Sequence, residues 1–182
     1  MSGDLLERKL NKSFGHMDLD GNGYIEEGDL LALGAHVAAG FGHEPGSPRA
    51  AAVADTFRRL WTVLVDTMDT SGDGRISPEE FRAGMATAFT DRAKYDAFFQ
   101  PAVDAIVSLC DQDGNGVVDM AEFRQIQHGY GTPADEADAT FKLLDRDGDG
   151  HLSRDELAAA AHEFYTSADP DAPGNHLFGT LR

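Results

Sequence analysis

The sequence predicts an all-α fold of four helix–loop–helix units arranged in two pairs, and three observations carry this prediction. One 12-residue acidic pattern occurs four times along the 182 residues. Apolar residues at helical spacing precede and follow each occurrence. Position 8 of every occurrence is apolar and mostly β-branched, so we expect short two-residue β pairing of the first loop with the second and of the third with the fourth at Ile25, Ile76, Val118 and Leu152.

The four occurrences are called the first to fourth loops: residues 18–29, 69–80, 111–122 and 145–156. The third and fourth loops match D-x-[DN]-x-[DN]-G-x5-E throughout, which is the pattern of the EF-hand calcium loop. The first and second loops each depart from it at one position, Asp29 and Ser71. Four matches between helical patterns leave chance a negligible role.

The spacing of the pattern follows from the chemistry of Ca²⁺, which takes six to eight oxygen ligands. Positions 1, 3 and 5 supply side-chain oxygens, position 7 a backbone carbonyl and position 12 a carboxylate, while glycine at position 6 permits a sharp turn. The predicted metal ligands are Asp18, Asp20, Asn22, Tyr24 and Asp29; Asp69, Ser71, Asp73, Arg75 and Glu80; Asp111, Asp113, Asn115, Val117 and Glu122; and Asp145, Asp147, Asp149, His151 and Glu156.

Each loop also contains the start of the helix that follows it. Position 9 can cap that helix and position 12 can return the hydrogen bond, which predicts capping boxes at Ser77/Glu80, Asp119/Glu122 and Ser153/Glu156. A plain helix start would explain these two positions, but it would not explain the Asp-x-Asp-x-Asn/Asp-Gly run before them.

Helices entering the loops are predicted from the apolar residues Leu6, Leu10, Phe14 and Met17; Phe57, Leu60, Leu64 and Met68; Ile106 and Leu109; and Phe141 and Leu144. Helices leaving them are predicted from Leu30, Leu33 and Val37; Phe81, Met85 and Phe89; Phe123 and Ile126; and Leu157 and Phe164. We expect most of the eleven phenylalanines to be core rather than an aromatic ligand box.

Prolines mark several helix starts. Pro78, Ser47-Pro48 and Thr132-Pro133 fit the first helical position, the latter two with an N-cap residue. Pro101 is expected to start or kink the third entering helix, leaving Tyr95, Phe98 and Phe99 on a preceding helical segment.

The net charge of −17 is concentrated in the loops. They contain 18 of the 32 acidic residues and three basic ones, and so carry −15. Such segments repel themselves unless cations occupy them. The acidic balance argues against nucleic-acid or anionic-membrane partners, which require a basic footprint. With one cysteine, no apolar run long enough to span a bilayer and no secretory signal, we expect a cytoplasmic monomer.

The connectors are uneven, and the tail Asp169-Pro-Asp-Ala-Pro-Gly-Asn175 is followed by the apolar Leu177, Phe178 and Leu181. Together with the four loops, these features resemble the sarcoplasmic calcium-binding protein and calerythrin family along essentially the whole chain. The resemblance implies one compact all-helical globule with paired hands. We expect hands one and two in residues 1–90, hands three and four in 91–166, and the tail 167–182 packed between the halves.

The four sites are not expected to be equivalent. The third and fourth loops are intact and should bind Ca²⁺ most tightly. Asp29 is one methylene shorter than glutamate, which favours Mg²⁺ in the first loop, with Glu26 available to compensate. Ser71 replaces a carboxylate and should make the second loop the weakest site.

A Ca²⁺ and Mg²⁺ buffer is the leading functional hypothesis, and a Ca²⁺ sensor that exposes an apolar surface to a protein partner is the alternative. Sensor grooves are typically rich in methionine, and the five methionines form no cluster in the sequence. A photoprotein-like ligand site is disfavoured by the single tryptophan, Trp61. An enzyme is not indicated, because the seven histidines form no H-E-x-x-H pair and Cys110 fits a small buried residue.

Overall fold

A computed structural model describes residues 2–90, 103–104, 107–129 and 132–179. The helices are α1 Ser2–Met17, α2 Glu27–Gly40, α3 Pro48–Met68, α4 Pro78–Thr90, α5 Met120–Gly129, α6 Ala134–Leu144 and α7 Arg154–Thr166, with a 3-10 helix at Pro173–His176. Residues 107–110 are also helical and lead into the third loop. Helical residues therefore flank every loop, as predicted. The expectations for Pro101, Tyr95, Phe98 and Phe99 fall outside the described residues.

Strand pairing occurs between the loops in the predicted combinations. The strands β1 Val118–Asp119 and β2 His151–Leu152 form an antiparallel pair, with Val118 opposite Leu152. The first two loops are joined by a single antiparallel bridge, in which Ile25 and Ile76 exchange two backbone hydrogen bonds of 2.9 Å. The predicted two-residue pairing is thus confirmed for the third and fourth loops, whereas the first pair of loops has one bridged residue on each side.

The contacts divide the chain into two compact units, Leu10–Ala102 and Met1–Lys9 with Val103–Arg182. In the first unit, the rings of Phe14 and Phe81 meet edge to face with centroids 5.7 Å apart. Helices α2 and α3 approach closely at Gly34, where a Cβ atom would lie 2.8 Å from the ring of Phe57. The core of this unit is therefore built from the apolar faces that lead into and out of the first two loops.

In the second unit, the C-terminal segment folds back onto the last helix. The ring of Phe178 lies edge to face on Phe164, with centroids 4.9 Å apart. Gln127 Nε2 donates to the carbonyl oxygen of Leu177 at 2.7 Å, and the backbone N–H of Gly174 donates to Glu163 Oε2 at 2.9 Å. These contacts anchor the tail within its own unit, and its predicted place between the two halves stays a prediction.

Aromatic burial follows the predicted pattern. Six of the phenylalanines have side chains less than 9% exposed and belong to the core: Phe14, Phe57, Phe81, Phe123, Phe141 and Phe164. Trp61 is buried with them, at 8% exposure. The core assignment is confirmed for these residues.

One predicted helix start is wrong. Ser47 caps α3 as expected, its hydroxyl accepting a hydrogen bond from Ala50 N–H at 3.2 Å. In contrast, α6 begins at Ala134, and Pro133 rather than Thr132 holds the N-cap position. Thr132 is instead tied to the helix before it, because its N–H donates to the Gln127 carbonyl oxygen at 2.9 Å and its hydroxyl donates to Gln127 Oε1 at 2.8 Å.

Within the described part of the chain, no helix combines the length and the apolar character that crossing a membrane requires.

Candidate metal centres

Each loop begins at the last hydrogen bond of its entering helix. The backbone N–H of the position-1 aspartate donates to a carbonyl four residues earlier, at 2.8 to 3.1 Å, in Asp18, Asp69, Asp111 and Asp145 alike. This bond fixes the first predicted ligand at the point where the chain leaves the helix.

The position-1 carboxylate also organises the turn that follows it. One of its oxygens accepts from the position-6 glycine N–H at 2.8 to 3.0 Å, in the pairs Gly23–Asp18, Gly74–Asp69, Gly116–Asp111 and Gly150–Asp145. These four glycines have φ between +81° and +89°, a conformation that strains other residues. Glycine at position 6 is therefore required by the backbone, as the sequence predicted.

The position-12 carboxylate connects the two ends of each loop. One oxygen accepts from the N–H of position 9 at 2.9 Å, in the pairs Glu26–Asp29, Ser77–Glu80, Asp119–Glu122 and Ser153–Glu156. The other oxygen accepts from an N–H at position 2, in the pairs Leu19–Asp29, Thr70–Glu80, Gln112–Glu122 and Arg146–Glu156. The predicted capping boxes are present, and Asp29 makes the same pair of contacts despite its shorter side chain.

The position-5 side chains shape the middle of the loops. Their oxygens accept from the backbone N–H of position 7 at 2.8 to 3.2 Å, in the pairs Tyr24–Asn22, Arg75–Asp73, Val117–Asn115 and His151–Asp149. Positions 5 and 7, both predicted to ligate, therefore lie side by side in every loop.

Three of the four loops bring carboxylates together. Oxygens from three residues lie within 4.8 Å of one another in the first, third and fourth loops, the groups being Asp18, Asp20 and Asp29; Asp111, Asp113 and Glu122; and Asp145, Asp147 and Asp149. A hard divalent cation prefers such a set of oxygens. In the fourth loop the predicted ligand Glu156 is not part of the converging group.

The first loop passes a more direct test of whether its residues suit a cation. Asp18 Oδ1 is buried and has no hydrogen-bond partner among the described residues. In the other loops the corresponding oxygen accepts from the position-4 glycine, as Asp111 does from Gly114 at 2.7 Å. A buried carboxylate oxygen without a donor is costly unless a cation neutralises it. The donor set of the first loop thus fits a bound metal ion.

Burial of the position-12 carboxylates points the same way. Asp29 is 5% exposed and Glu122 is 6% exposed. Charged groups are seldom this buried without a partner of opposite charge. The Glu26 side chain, the predicted compensating ligand, accepts from Asn22 Nδ2 at 3.3 Å and so lies beside the position-5 residue.

The second loop is arranged differently. Its carboxylates Asp69, Asp73 and Glu80, all within the described residues, form no converging group of this kind. The Ser71 hydroxyl donates to Asp69 Oδ1 at 3.2 Å, while Arg75 Nε lies 2.9 Å from Asp73 Oδ2. The pairing of Arg75 with a predicted ligand was missed by the sequence reasoning, although a cation at position 7 of an acidic loop was a signal for it.

Hydrogen bonds keep the second loop's carboxylates in their charged form. The backbone N–H and hydroxyl of Ser77 lower the pKa of Glu80 to about 2, with the Ser71 N–H contributing less. Backbone N–H groups, that of Gly74 foremost, lower the pKa of Asp69. Both groups are therefore available as anionic ligands at neutral pH.

Cys110 precedes the third loop and was expected to be a small buried residue. It is 1% exposed, which confirms the expectation. Burial raises the pKa of its thiol, assisted by the charges of Glu122 and Asp111. Because the thiolate is the nucleophilic form, the raised pKa and the burial of Cys110 argue against a nucleophilic role.

Comparisons with known proteins agree with the loop geometry. A family model described as an EF-hand domain pair matches residues 7–86 and 105–162. Calerythrin from Saccharopolyspora erythraea is 27% identical over 117 residues, which cover 63% of this chain and 66% of calerythrin, just under two thirds of its length.

Two solved structures share the fold. A calcium-binding protein from Streptomyces coelicolor is 30% identical, with a TM-score of 0.74. The match covers 88% of this chain and 98% of the Streptomyces coelicolor protein. A sarcoplasmic calcium-binding protein from amphioxus is 19% identical, with a TM-score of 0.77 and a match that covers 97% of both chains. At that identity the similarity is evidence for the fold alone. The chain therefore belongs to the EF-hand family, and it is similar in sequence to calerythrin.

Proposed function

We propose that this chain binds calcium ions through its EF-hand loops and acts mainly as a buffer for Ca²⁺, with Mg²⁺ as a competitor. The observation that carries the proposal is the convergence of three carboxylates in each of three loops. The similarity of the chain to calerythrin and to a protein of Streptomyces coelicolor that is described as calcium-binding also supports the proposal. The ligands proposed are the twenty residues at positions 1, 3, 5, 7 and 12 of the four loops.

The sites are proposed to differ in affinity. The third loop keeps Asp111, Asp113 and Glu122 together and should be among the tightest sites, with the fourth loop. In the first loop Asp29 ends in a shorter side chain, which lowers the coordination it can offer and favours Mg²⁺. The second loop should be weakest, because Ser71 removes one ligand charge.

Magnesium competition at the first loop can be tested by reciprocal exchange of the position-12 residue. Asp29→Glu should raise the preference of one site for Ca²⁺ over Mg²⁺, while Glu122→Asp should lower it at another. Calorimetric Ca²⁺ titrations with and without millimolar Mg²⁺ measure both. If Asp29→Glu left the competition unchanged while Glu122→Asp altered it, the assignment of Mg²⁺ to the first loop would fail.

The buffer role is supported by the surface. Sensor grooves are rich in exposed methionine, whereas Met68 and Met85 are buried at 0% and 2% exposure. The large apolar side chains that are exposed among the described residues are Leu19, at 37%, and Leu143, at 47%. A buffer opens little when it binds Ca²⁺ and needs no such groove.

A sensor remains the second candidate, because the Streptomyces coelicolor protein is described as acting in calcium-mediated regulation. Binding of an apolar fluorescent dye separates the two roles. A buffer predicts equal or lower dye fluorescence in Ca²⁺ than in Mg²⁺ or chelator, since the ion-free chain is expected to loosen through repulsion in its loops. A rise specific to Ca²⁺ would establish the sensor instead.

The setting proposed for this activity is the cytoplasm, with the chain as a monomer and not an enzyme. The net charge of −17 argues against nucleic acid and anionic membranes as partners, because both are negatively charged. Sedimentation of the Ca²⁺-loaded chain tests the monomer directly, and a mass near 39 kDa, twice the 19.6 kDa of one chain, would overturn it.

A further inference from the structure

An arginine side chain lies within the second loop and contacts the first. Arg75 Nε lies 2.9 Å from Asp73 Oδ2, and the guanidinium carbon lies 3.8 Å from the centre of the Tyr24 ring. Tyr24 and Arg75 are the position-7 residues of the two loops. The side chains of Arg75 and Asp73 are 41% and 42% exposed, so the ion pair is open to solvent on one side.

Arg75 contacts both oxygens of Asp73, a predicted ligand. Its side chain contacts Asp73 Oδ2, and its backbone N–H donates to Asp73 Oδ1 at 3.2 Å. A divalent ion in the second loop needs an oxygen of the same carboxylate. The backbone contact recurs at this position in all four loops, so the competition rests on the guanidinium. Its positive charge repels a divalent ion that approaches Asp73 and competes with that ion for the negative charge of the carboxylate.

The backbone between the two loops keeps Arg75 within reach of Tyr24. Ile25 and Ile76, which directly follow these residues, exchange backbone hydrogen bonds at 2.9 Å in both directions. The bridge sets the two position-7 side chains next to each other, and a guanidinium over an aromatic face is attracted by the ring. Tyr24 thereby holds the guanidinium near Asp73 instead of releasing it to solvent.

We propose that Arg75, held in place by the Tyr24 ring, is an internal competitor for Asp73 and sets the Ca²⁺ affinity of the second loop. The proposal rests on the proposed function, since it presupposes that the loops bind Ca²⁺. It adds a cause of weak binding that is independent of Ser71. It also makes a first-loop side chain, Tyr24, a determinant of affinity in the second loop.

Calorimetric Ca²⁺ titration of Arg75→Gln tests the competition. The weakest binding step should tighten by about two- to fivefold, the range expected for removing one exposed ion pair. Arg58→Gln is the matched control, because Arg58 is also a half-exposed arginine of this unit and its carboxylate neighbours, Asp55 at 2.6 Å and Glu27 at 3.9 Å, are not predicted ligands. Tyr24→Leu should give part of the same gain without any change in charge.

A second measurement needs no calcium. In chelator, the Nε–H of Arg75 should give a distinct nuclear magnetic resonance signal, shifted by the Tyr24 ring and protected by Asp73. Tyr24→Leu should remove the ring-current shift, and Asp73→Asn should remove the protection. Backbone amide spectra of the same samples verify that each variant, Arg75→Gln included, keeps its fold.

The outcomes separate this proposal from the proposed function. If the wild-type chain bound no Ca²⁺, the proposed function would fail, and this proposal with it. If the wild-type chain bound Ca²⁺ but Arg75→Gln gained no more affinity than Arg58→Gln, the competition would be refuted and the calcium-binding function would stand. An Arg75 signal unaffected by Tyr24→Leu would refute the role of the ring.

Discussion

The ammonium group of Lys9 donates a hydrogen bond of 2.8 Å to the carbonyl oxygen of Ser167, the C-cap residue of α7. The same nitrogen lies 3.2 Å from the carbonyl oxygen of Glu163, and the Lys9 side chain is fully buried. Cations favour the C-terminal end of a helix, where carbonyl oxygens lack helical partners. Lys9, near the start of the chain, thus caps the C-terminal end of α7, and both lie within the same compact unit.

Replacing Lys9 by methionine should destabilise the protein. The change keeps the apolar stem but deprives the Ser167 carbonyl of this donor, a loss of about 1–2 kcal/mol. Burial lowers the pKa of Lys9, and the charge of Glu163 opposes this shift. Burying the ammonium charge therefore has a cost, and because methionine avoids that cost, the substitution should lose less stability than the hydrogen bonds alone would suggest. Urea unfolding in saturating Ca²⁺ measures the difference. Lys142→Met, at an exposed position of α6, is the control and should change the free energy of unfolding little.

Gly34→Ala should also destabilise the protein. The new Cβ would lie 2.8 Å from Phe57 Cδ2, and a buried aromatic ring cannot yield without disturbing its neighbours. We expect a loss of about 1–3 kcal/mol. Gly15→Ala is the matched control, because nothing lies within 4 Å of its Cβ position in α1 and alanine favours the helix. Equal effects of the two substitutions on thermal unfolding would show that α2 and α3 are not closely packed there.

The fold was largely predictable because each element has a local signal. The four loops require glycine, aspartate and glutamate at fixed positions, and the flanking apolar residues repeat at helical spacing. The N-cap of α6 was not predictable, since Thr132 is hydrogen-bonded through its N–H and its hydroxyl to Gln127 in the preceding helix. The burial of Lys9 was not predictable either. In the sequence Lys9 is a polar residue beside Leu10, and its burial depends on α7, which begins more than 140 residues later in the chain.

Lowering the pH should weaken the ion-free protein before its carboxylates titrate. Burial, with the nearby charge of Lys12, lowers the pKa of His16 from 6.5 to about 4. The folded state therefore disfavours the protonated ring, so stability is fully present above pH 6.5 and is lost as the pH falls toward 4.

Between pH 6.5 and pH 5 the loss attributable to His16 should be about 1–2 kcal/mol. Urea unfolding in excess chelator measures it, because bound ions would mask the effect. His16→Gln should flatten this part of the profile, whereas His36→Gln, at an exposed position of α2, should leave the slope in place. A profile unchanged by His16→Gln would contradict the assignment.

Ser71→Asp should tighten the weakest Ca²⁺-binding step several-fold, because it restores a ligand charge at position 3 of the second loop. Thr70→Asp adds the same charge at position 2, where the side chain does not ligate, and controls for general electrostatic attraction. Calorimetric titration compares the two. The ranking of the second loop would be lost if both variants tightened binding equally or if Ser71→Asp had no effect.

The candidate site was predictable to the extent that ligands are defined by position. The sequence identified the carboxylates that converge in the first, third and fourth loops, since their spacing is a property of the backbone turn. It did not predict the pairing of Arg75 with Asp73, because that contact depends on side-chain conformation and on the neighbouring Tyr24. The contact of Arg75 with Asp73 and Tyr24 becomes visible only when the first and second loops are placed side by side in the structure.

A calorimetric Ca²⁺ titration of the ion-free 182-residue chain tests the central claim most directly. The four EF-hand loops predict three ions bound tightly per chain and a fourth bound more weakly, with Mg²⁺ displacing at least one of them. Two or fewer ions per chain, or no binding at all, would contradict the assignment of these loops as calcium sites.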